Sequence, residues 1–180
     1  MKYFKKVEGE RVYLSPLNSE DVIQYTKWIN DPAISDNMES SSYLISIANE
    51  KEWLENAETA KDYYVFAIVK TDGDELLGNC SFYDIYHIHR RAKIWLVIGE
   101  ESNRGKGYGT EALRLLLRYG FNTLNLNNIM LQVFAFNEQA IACYKKVGFK
   151  TIGERRNAYY VNGKYHNEIF MDILREEFEI

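Results

Sequence analysis

The sequence predicts an α/β (α+β) domain, a mixed central sheet of about seven strands carrying four helices. Three observations point there. Helical periodicity and β-branched or aromatic runs follow one another along the chain. Thr71-Asp-Gly-Asp74 and Asn162-Gly163 are hairpin signals between strand-like runs, and both make their neighbours antiparallel. A glycine loop, Arg104-Gly-Lys-Gly-Tyr-Gly109-Thr110, joins a strand-like run to a long helical one.

The elements follow in order. Arg11 to Leu14 is a short strand that Ser15-Pro16 ends, and Ser19 then caps a helix carrying Val22, Ile23, Thr26 and Trp28-Ile29. Asn30-Asp31-Pro32 stops that helix, and 35–48 reads as an irregular loop. Glu50 to Glu58, with Trp53 and Leu54, is a second helix. Tyr63–Val69, Leu76–Tyr86 and Ala92–Ile98 form an antiparallel meander, with His87 to Arg90 turning the chain before the last of them. After the glycine loop, Gly109, Ala112, Leu113, Leu116, Leu117 and Gly120 share one helical face. Ile129–Ala135 is a buried strand. Asn137 caps the next helix, whose inward face holds Ala140, Ile141, Tyr144 and Val147, and Gly148 supplies its left-handed stop. Lys150–Val161 and Lys164–Leu174 close the chain as a hairpin. No linker, repeat or low-complexity tract interrupts residues 1–180, which reads as a single domain.

Composition narrows the function classes. A formal charge of −4 argues against a duplex nucleic-acid binder, which displays a basic face. Cys80 and Cys143 fit no zinc spacing and no disulfide framework, so no metal and a reducing cytoplasm are expected. No segment has the apolar length of a signal peptide or a membrane span.

The loop at 104–110 carries the chemistry. Gly105, Gly107 and Gly109 let backbone approach a ligand closely, and the helix start behind them offers unpaired N–H groups to anionic oxygens. Arg104 and Lys106 add positive charge. The spacing fits neither a Walker A loop nor a dinucleotide G-x-G-x-x-G fingerprint. By itself the loop is a pyrophosphate cradle or a ligand-free helix cap.

Arg104-x-x-Gly107-x-Gly109, together with Asn137-Glu-Gln-Ala-Ile-Ala-Cys-Tyr144-Lys-Lys-Val-Gly148-Phe149, resembles the GNAT acyltransferases. Nearly the whole chain shares the likeness, which 63–174 carry best. Gly9-Glu-Arg-Val-Tyr-Leu and Trp28-Ile-Asn-Asp-Pro32 resemble the branch with ribosomal-protein N-terminal acetyltransferases. His87-Ile-His-Arg-Arg-Ala92 and Tyr119-Gly-Phe-Asn-Thr-Leu-Asn-Leu126 are similar to spermidine N-acetyltransferases.

The resemblance implies an acetyl-CoA-dependent N-acetyltransferase. Backbone from Arg104 through Gly105, Lys106, Gly107, Tyr108 and Gly109 to Thr110 would hold the pyrophosphate. The Leu96-Val97-Ile98 backbone would meet the pantetheine arm, where the family's sheet splays, much as a sheet edge receives a strand. Asn137 would cap its helix, bond pantetheine, or both. Lys146 would approach the coenzyme or stay solvated. Tyr144, from its spacing alone a core aromatic, becomes the general acid for the departing thiolate. The attacking amine must lose a proton, and Asp84 and His87, at the end of the third strand and in the next turn, are the candidates near the acceptor.

The acceptor is left as a primary amine, a small molecule or a protein N-terminus. Asp31, Asp36, Glu39, Glu50, Glu52, Glu55 and Glu58 stand against Lys51 alone in the first two helices and their loop, which line the acceptor pocket in the family. Negative charge there would attract a cation, although Glu50 to Glu58 reads better as a solvated face. Spermidine enzymes have a glutamate on the fourth strand where this chain has Lys93, which turns the expectation away from a polyamine. Polyamine acetylation and a non-catalytic CoA-binding regulatory module remain as alternatives. Exposed backbone on the last strands could pair two copies as a homodimer.

Overall fold

The computed structural model describes residues 2–60 and 62–178, with the side chain of Glu58 outside that description. Among the described residues the sheet has eight strands: β1 (Val7–Glu8), β2 (Val12–Pro16), β3 (Tyr64–Lys70), β4 (Leu76–Tyr86), β5 (Arg91–Ile98), β6 (Asn128–Phe134), β7 (Lys150–Val161) and β8 (Lys164–Leu174). Their order is β1-β2-β3-β4-β5-β6-β8-β7. Every neighbouring pair is antiparallel except β5–β6. The extra strand is β1, two residues long and too short to leave a periodic signal.

The helices are α1 (Val22–Ile29), α2 (Pro32–Ser35), α3 (Ile47–Thr59), α4 (Tyr108–Asn122) and α5 (Glu138–Val147). Asn18, not Ser19, caps the entry to α1: its side chain accepts from the Glu20 N–H, and a 3-10 turn over Ser19–Asp21 leads into the helix. Pro32 ends α1 as expected, yet it also opens α2, because Asp31 accepts from the Ala33 N–H and proline at the first helical position loses no bond. A reciprocal Ser46–Asn49 capping box starts α3 three residues before Glu50.

The sheet is covered on both faces. On one, α4 buries Leu113, Leu116, Leu117 and Phe121 against Phe82, Ile94 and Ile129. Gly120 lets α4 lie close, since a Cβ there would stand 2.7 Å from the Phe82 ring. The other face carries Tyr25, Trp28, Ile34 and Leu54 from α1, α2 and α3. Asn162 (φ 51°) and Gly163 (φ 77°) both turn left-handed between β7 and β8, as a type I′ turn requires.

One feature of pairing positions the site. β5 and β6 pair only from Arg91 to Lys93, opposite Asn128 to Met130. Beyond Lys93 the two strands part. Leu96, Val97 and Ile98 still pair with Cys80, Asn79 and Gly78 of β4, but their other edge has no strand beside it.

Candidate functional site

A cavity of about 860 Å³ opens where β5 and β6 diverge. Leu96, Val97, Ile98, Arg104, Gly105, Gly107, Gly109, Thr110, Asn137, Tyr144 and Lys146 all line it. Residues up to 50 positions apart in sequence therefore meet around one space. At one end, Gly105 (φ 71°) and Gly107 (φ 89°) hold the loop in left-handed conformations and deliver it to the start of α4. The first N–H groups of α4, including those of Gly109 and Thr110, have no acceptor within the helix. Asn137 caps α5 by accepting from the Ala140 N–H at 3.1 Å.

Tyr144 stands on α5 and lines the cavity. Its ring packs on Phe149 with centroids 5.9 Å apart. Burial pushes its phenol well above the usual tyrosine range, with smaller contributions from Cys143 and Tyr83. It stays protonated at any working pH.

Five of the expected residues have side chains that stand elsewhere or do something else. The Arg104 guanidinium donates to the carbonyls of Ile98 (3.1 Å), Ala33 (3.3 Å) and Gly99 (2.8 Å). It ties the end of β5 to α2 while still lining the cavity. The Tyr108 ring lies beneath the Arg11 guanidinium, 4.4 Å from it, and does not line the cavity. Lys106 is exposed and outside the lining, its carbonyl held by Arg11 Nη1 at 2.8 Å. Asp84 and His87 are also outside it. Asp84 sits in a β-bulge at φ 48° and pairs with Lys93 Nζ at 2.9 Å. His87 is exposed in the β4–β5 turn, 3.7 Å from Asp62.

Arg11 was not singled out by its sequence context. It braces the loop from outside, while Glu111 accepts from the backbone N–H groups of Arg11 and Val12 and fixes the β1–β2 turn to α4. Glu39 was counted only as one acid of seven. It is the one carboxylate among the described residues lining the cavity, and Gln132 Nε2 donates to it at 2.9 Å. Trp53, Tyr63, Tyr83, Trp95 and Phe134 line the same cavity.

With this geometry in place, residues 11–150 match the family model described as the Acetyltransferase (GNAT) domain. The chain belongs to that family. This GNAT domain is 39% identical over 111 residues to spermidine N(1)-acetyltransferase of Escherichia coli strain K12, which covers 62% of the chain and 59% of that protein. It is 34% identical over 104 residues to YdaF of Bacillus subtilis strain 168, whose name provisionally describes a ribosomal N-acetyltransferase; the match covers 58% of the chain and 56% of YdaF. The chain thus spans less than two thirds of either relative's length. Its fold is that of the Vibrio cholerae spermidine N-acetyltransferase solved with CoA and spermine: TM-score 0.86 at 24% identity, covering 94% of this chain and 98% of that one. No helix among the described residues of the GNAT domain is long and apolar enough to cross a membrane.

One acid corrects the solvated-face reading of α3. Glu52 and Glu55 are exposed, but Glu50 is buried at 8% exposure. It stands three and four residues before Trp53 and Leu54, on the stripe those residues and Ala57 turn inward. That spacing was the available signal. Burial raises the Glu50 carboxyl from 4.5 to about 7. The folded chain therefore keeps its proton where the unfolded chain has lost it, and this contribution, full below about pH 4.5, fades as pH rises through 7. Glu50→Gln should stabilise the domain at pH 8 by roughly 1–3 kcal/mol and flatten the fall in melting temperature between pH 5 and 8. An unchanged pH profile would show that this carboxyl is not the group titrating.

Proposed function

We propose that this GNAT domain transfers the acetyl group of acetyl-CoA to the nitrogen of a primary amine, and that the chain works as one catalytic domain in a reducing cytoplasm. The observation that carries the reading is the single cavity joining the Gly105–Thr110 loop, the open edge of β5 and Tyr144. The residues fit the donor. The loop backbone suits a pyrophosphate, the unpaired edge at Val97 suits an amide-bearing arm, and Tyr144 lies beyond both. Both cysteines are free thiols.

In the step itself, the neutral amine attacks the thioester carbonyl carbon, a C–N bond forms and the C–S bond breaks with its electrons on sulfur. Tyr144 gives its phenolic proton to that sulfur. The proton leaving nitrogen passes to water, and the phenol is restored from solvent.

Calorimetry with acetyl-CoA tests the donor. Binding is expected in the ~1 μM–1 mM range usual for substrates; no heat at millimolar coenzyme would end the proposal. Arg11→Met, which removes the brace on the Lys106 carbonyl, should weaken that binding about tenfold with little loss of fold stability. An unchanged affinity would show that the loop holds its shape without Arg11. A CoA-binding module without turnover draws support from Asp84 and His87 standing outside the cavity, and amine-dependent release of free thiol separates it from the enzyme.

A further inference from the structure

We infer that the acceptor is a monoamine with an aromatic or bulky apolar body, its nitrogen met as an ammonium by Glu39, to which it gives up a proton before attack, and its body against Trp53, Tyr63, Tyr83 and Trp95. The inference rests on the acetyl-transfer reading and names the substrate class of that same cavity.

Strand parity assembles the rings. Ser81 stands opposite Trp95, and Tyr83 opposite Lys93, so these four share the sheet face turned toward α3. Their neighbours Cys80, Phe82 and Ile94 belong to the core under α4. Tyr63 precedes β3, one position before the Tyr64–Phe82 pair, which sets it on the face of Tyr83. Trp53 comes from α3, its ring centroid 6.4 Å from that of Trp95 at 45°. Two walls of one pocket end are thus aromatic. Burial at that end pushes the Tyr83 phenol up to about 12 and raises that of Tyr63.

Charge decides how many ammonium groups the pocket can hold. Glu39 is the one lining carboxylate among the described residues, while Arg104 and Lys146 line the donor side. Asp84 is neutralised by Lys93, whose Nζ lies 5.8 Å from the Tyr83 ring centre. Glu168, buried at 4% exposure, is outside the lining and faces Arg155 at 3.8 Å. One ammonium finds a carboxylate and ring faces. A second or third would find no further lining carboxylate, since Asp84 is already paired with Lys93 and Glu168 with Arg155. An apolar body instead buries its surface against the rings.

The Glu39 position is also held in advance. Tyr159 stacks on Phe134 with centroids 3.7 Å apart, and its hydroxyl bonds the Met38 carbonyl and Ser41 Oγ, each at 2.7 Å. With Gln132 on Glu39, the loop carrying the carboxylate is fixed from two strands.

Phenethylamine and spermidine are the probes. Thiol release from acetyl-CoA should give phenethylamine a kcat/KM at least about tenfold above that of spermidine. Trp95→Leu should raise the phenethylamine KM about tenfold with acetyl-CoA affinity unchanged. Calorimetry of each amine into CoA-saturated protein reads the acceptor site without turnover. Tighter phenethylamine binding with no thiol release would keep this pocket assignment and overturn acetyl transfer. Thiol release with spermidine preferred, or a phenethylamine KM indifferent to Trp95→Leu, would overturn the pocket assignment and leave acetyl transfer standing.

Discussion

Tyr144→Phe should lower kcat by about 10²–10⁴-fold while leaving acetyl-CoA affinity nearly intact. The exchange removes one oxygen and keeps the ring that packs on Phe149, so α5 and the cavity wall should survive it. What disappears is the proton for the departing sulfur. Because burial holds the phenol far above the usual range, Tyr144 does not titrate near neutrality, and any pH dependence of the parent rate there should come from the amine or another group. Pre-steady-state thiol release with saturating amine reads the chemical step directly. Equal rates in parent and variant would remove Tyr144 from the mechanism and leave water as the acid.

The largest effect on stability is expected from Gly78→Ala. A Cβ at Gly78 would lie 1.9 Å from the Val97 carbonyl oxygen and 2.9 Å from its carbon. Both are backbone atoms, so no side chain can rotate aside, and β4 must part from β5. Overpacking of this kind costs about 3 kcal/mol, the upper end of the usual range, because backbone cannot yield. At roughly 2–4 °C per kcal/mol for a chain of this size, the melting temperature should fall by about 6–12 °C. The site should suffer as well, because the Val97 edge facing the cavity moves with its backbone. Below the transition, acetyl-CoA affinity should therefore also drop. A melting temperature within about 2 °C of the parent would show that the sheet opens here at little cost.

Most elements were legible because each carries a local signal. β4, β7 and β8 run over the residues their alternation and turn chemistry indicated. Asn137 and Gly148 bound α5 as cap and left-handed stop. Where local signals were weak or double-edged, the reading slipped. Val7–Glu8 becomes a strand only because β2 lies beside it. Pro32 ends one helix and begins another, and only the Asp31 cap tells which use prevails.

The site divided in the same way. The glycine loop and the Asn137–Phe149 segment are continuous stretches whose spacing follows from the local demands of a turn, a cap and a helix face. They pointed to the family before any geometry was known. Arg104 was legible as a cation but not as a brace, since its carbonyl partners include Ala33, 71 positions away. Asp84 was legible as an acid at a strand end, but the bulge that gives it to Lys93 is a matter of register.

The residue order alone pointed to the proposed donor half of this protein: loop, helix start, capped α5 and Tyr144, all written within the 45 positions 104–148. The proposed acceptor half came from assembly. Trp53, Tyr83, Trp95 and Glu39 stand on separate elements, and their convergence depends on strand parity, on where β5 leaves β6 and on a loop tied down by Tyr159. Turns and caps act within a few residues and can be read in place. Pairing and packing act between distant segments, and only the folded chain brings those segments together.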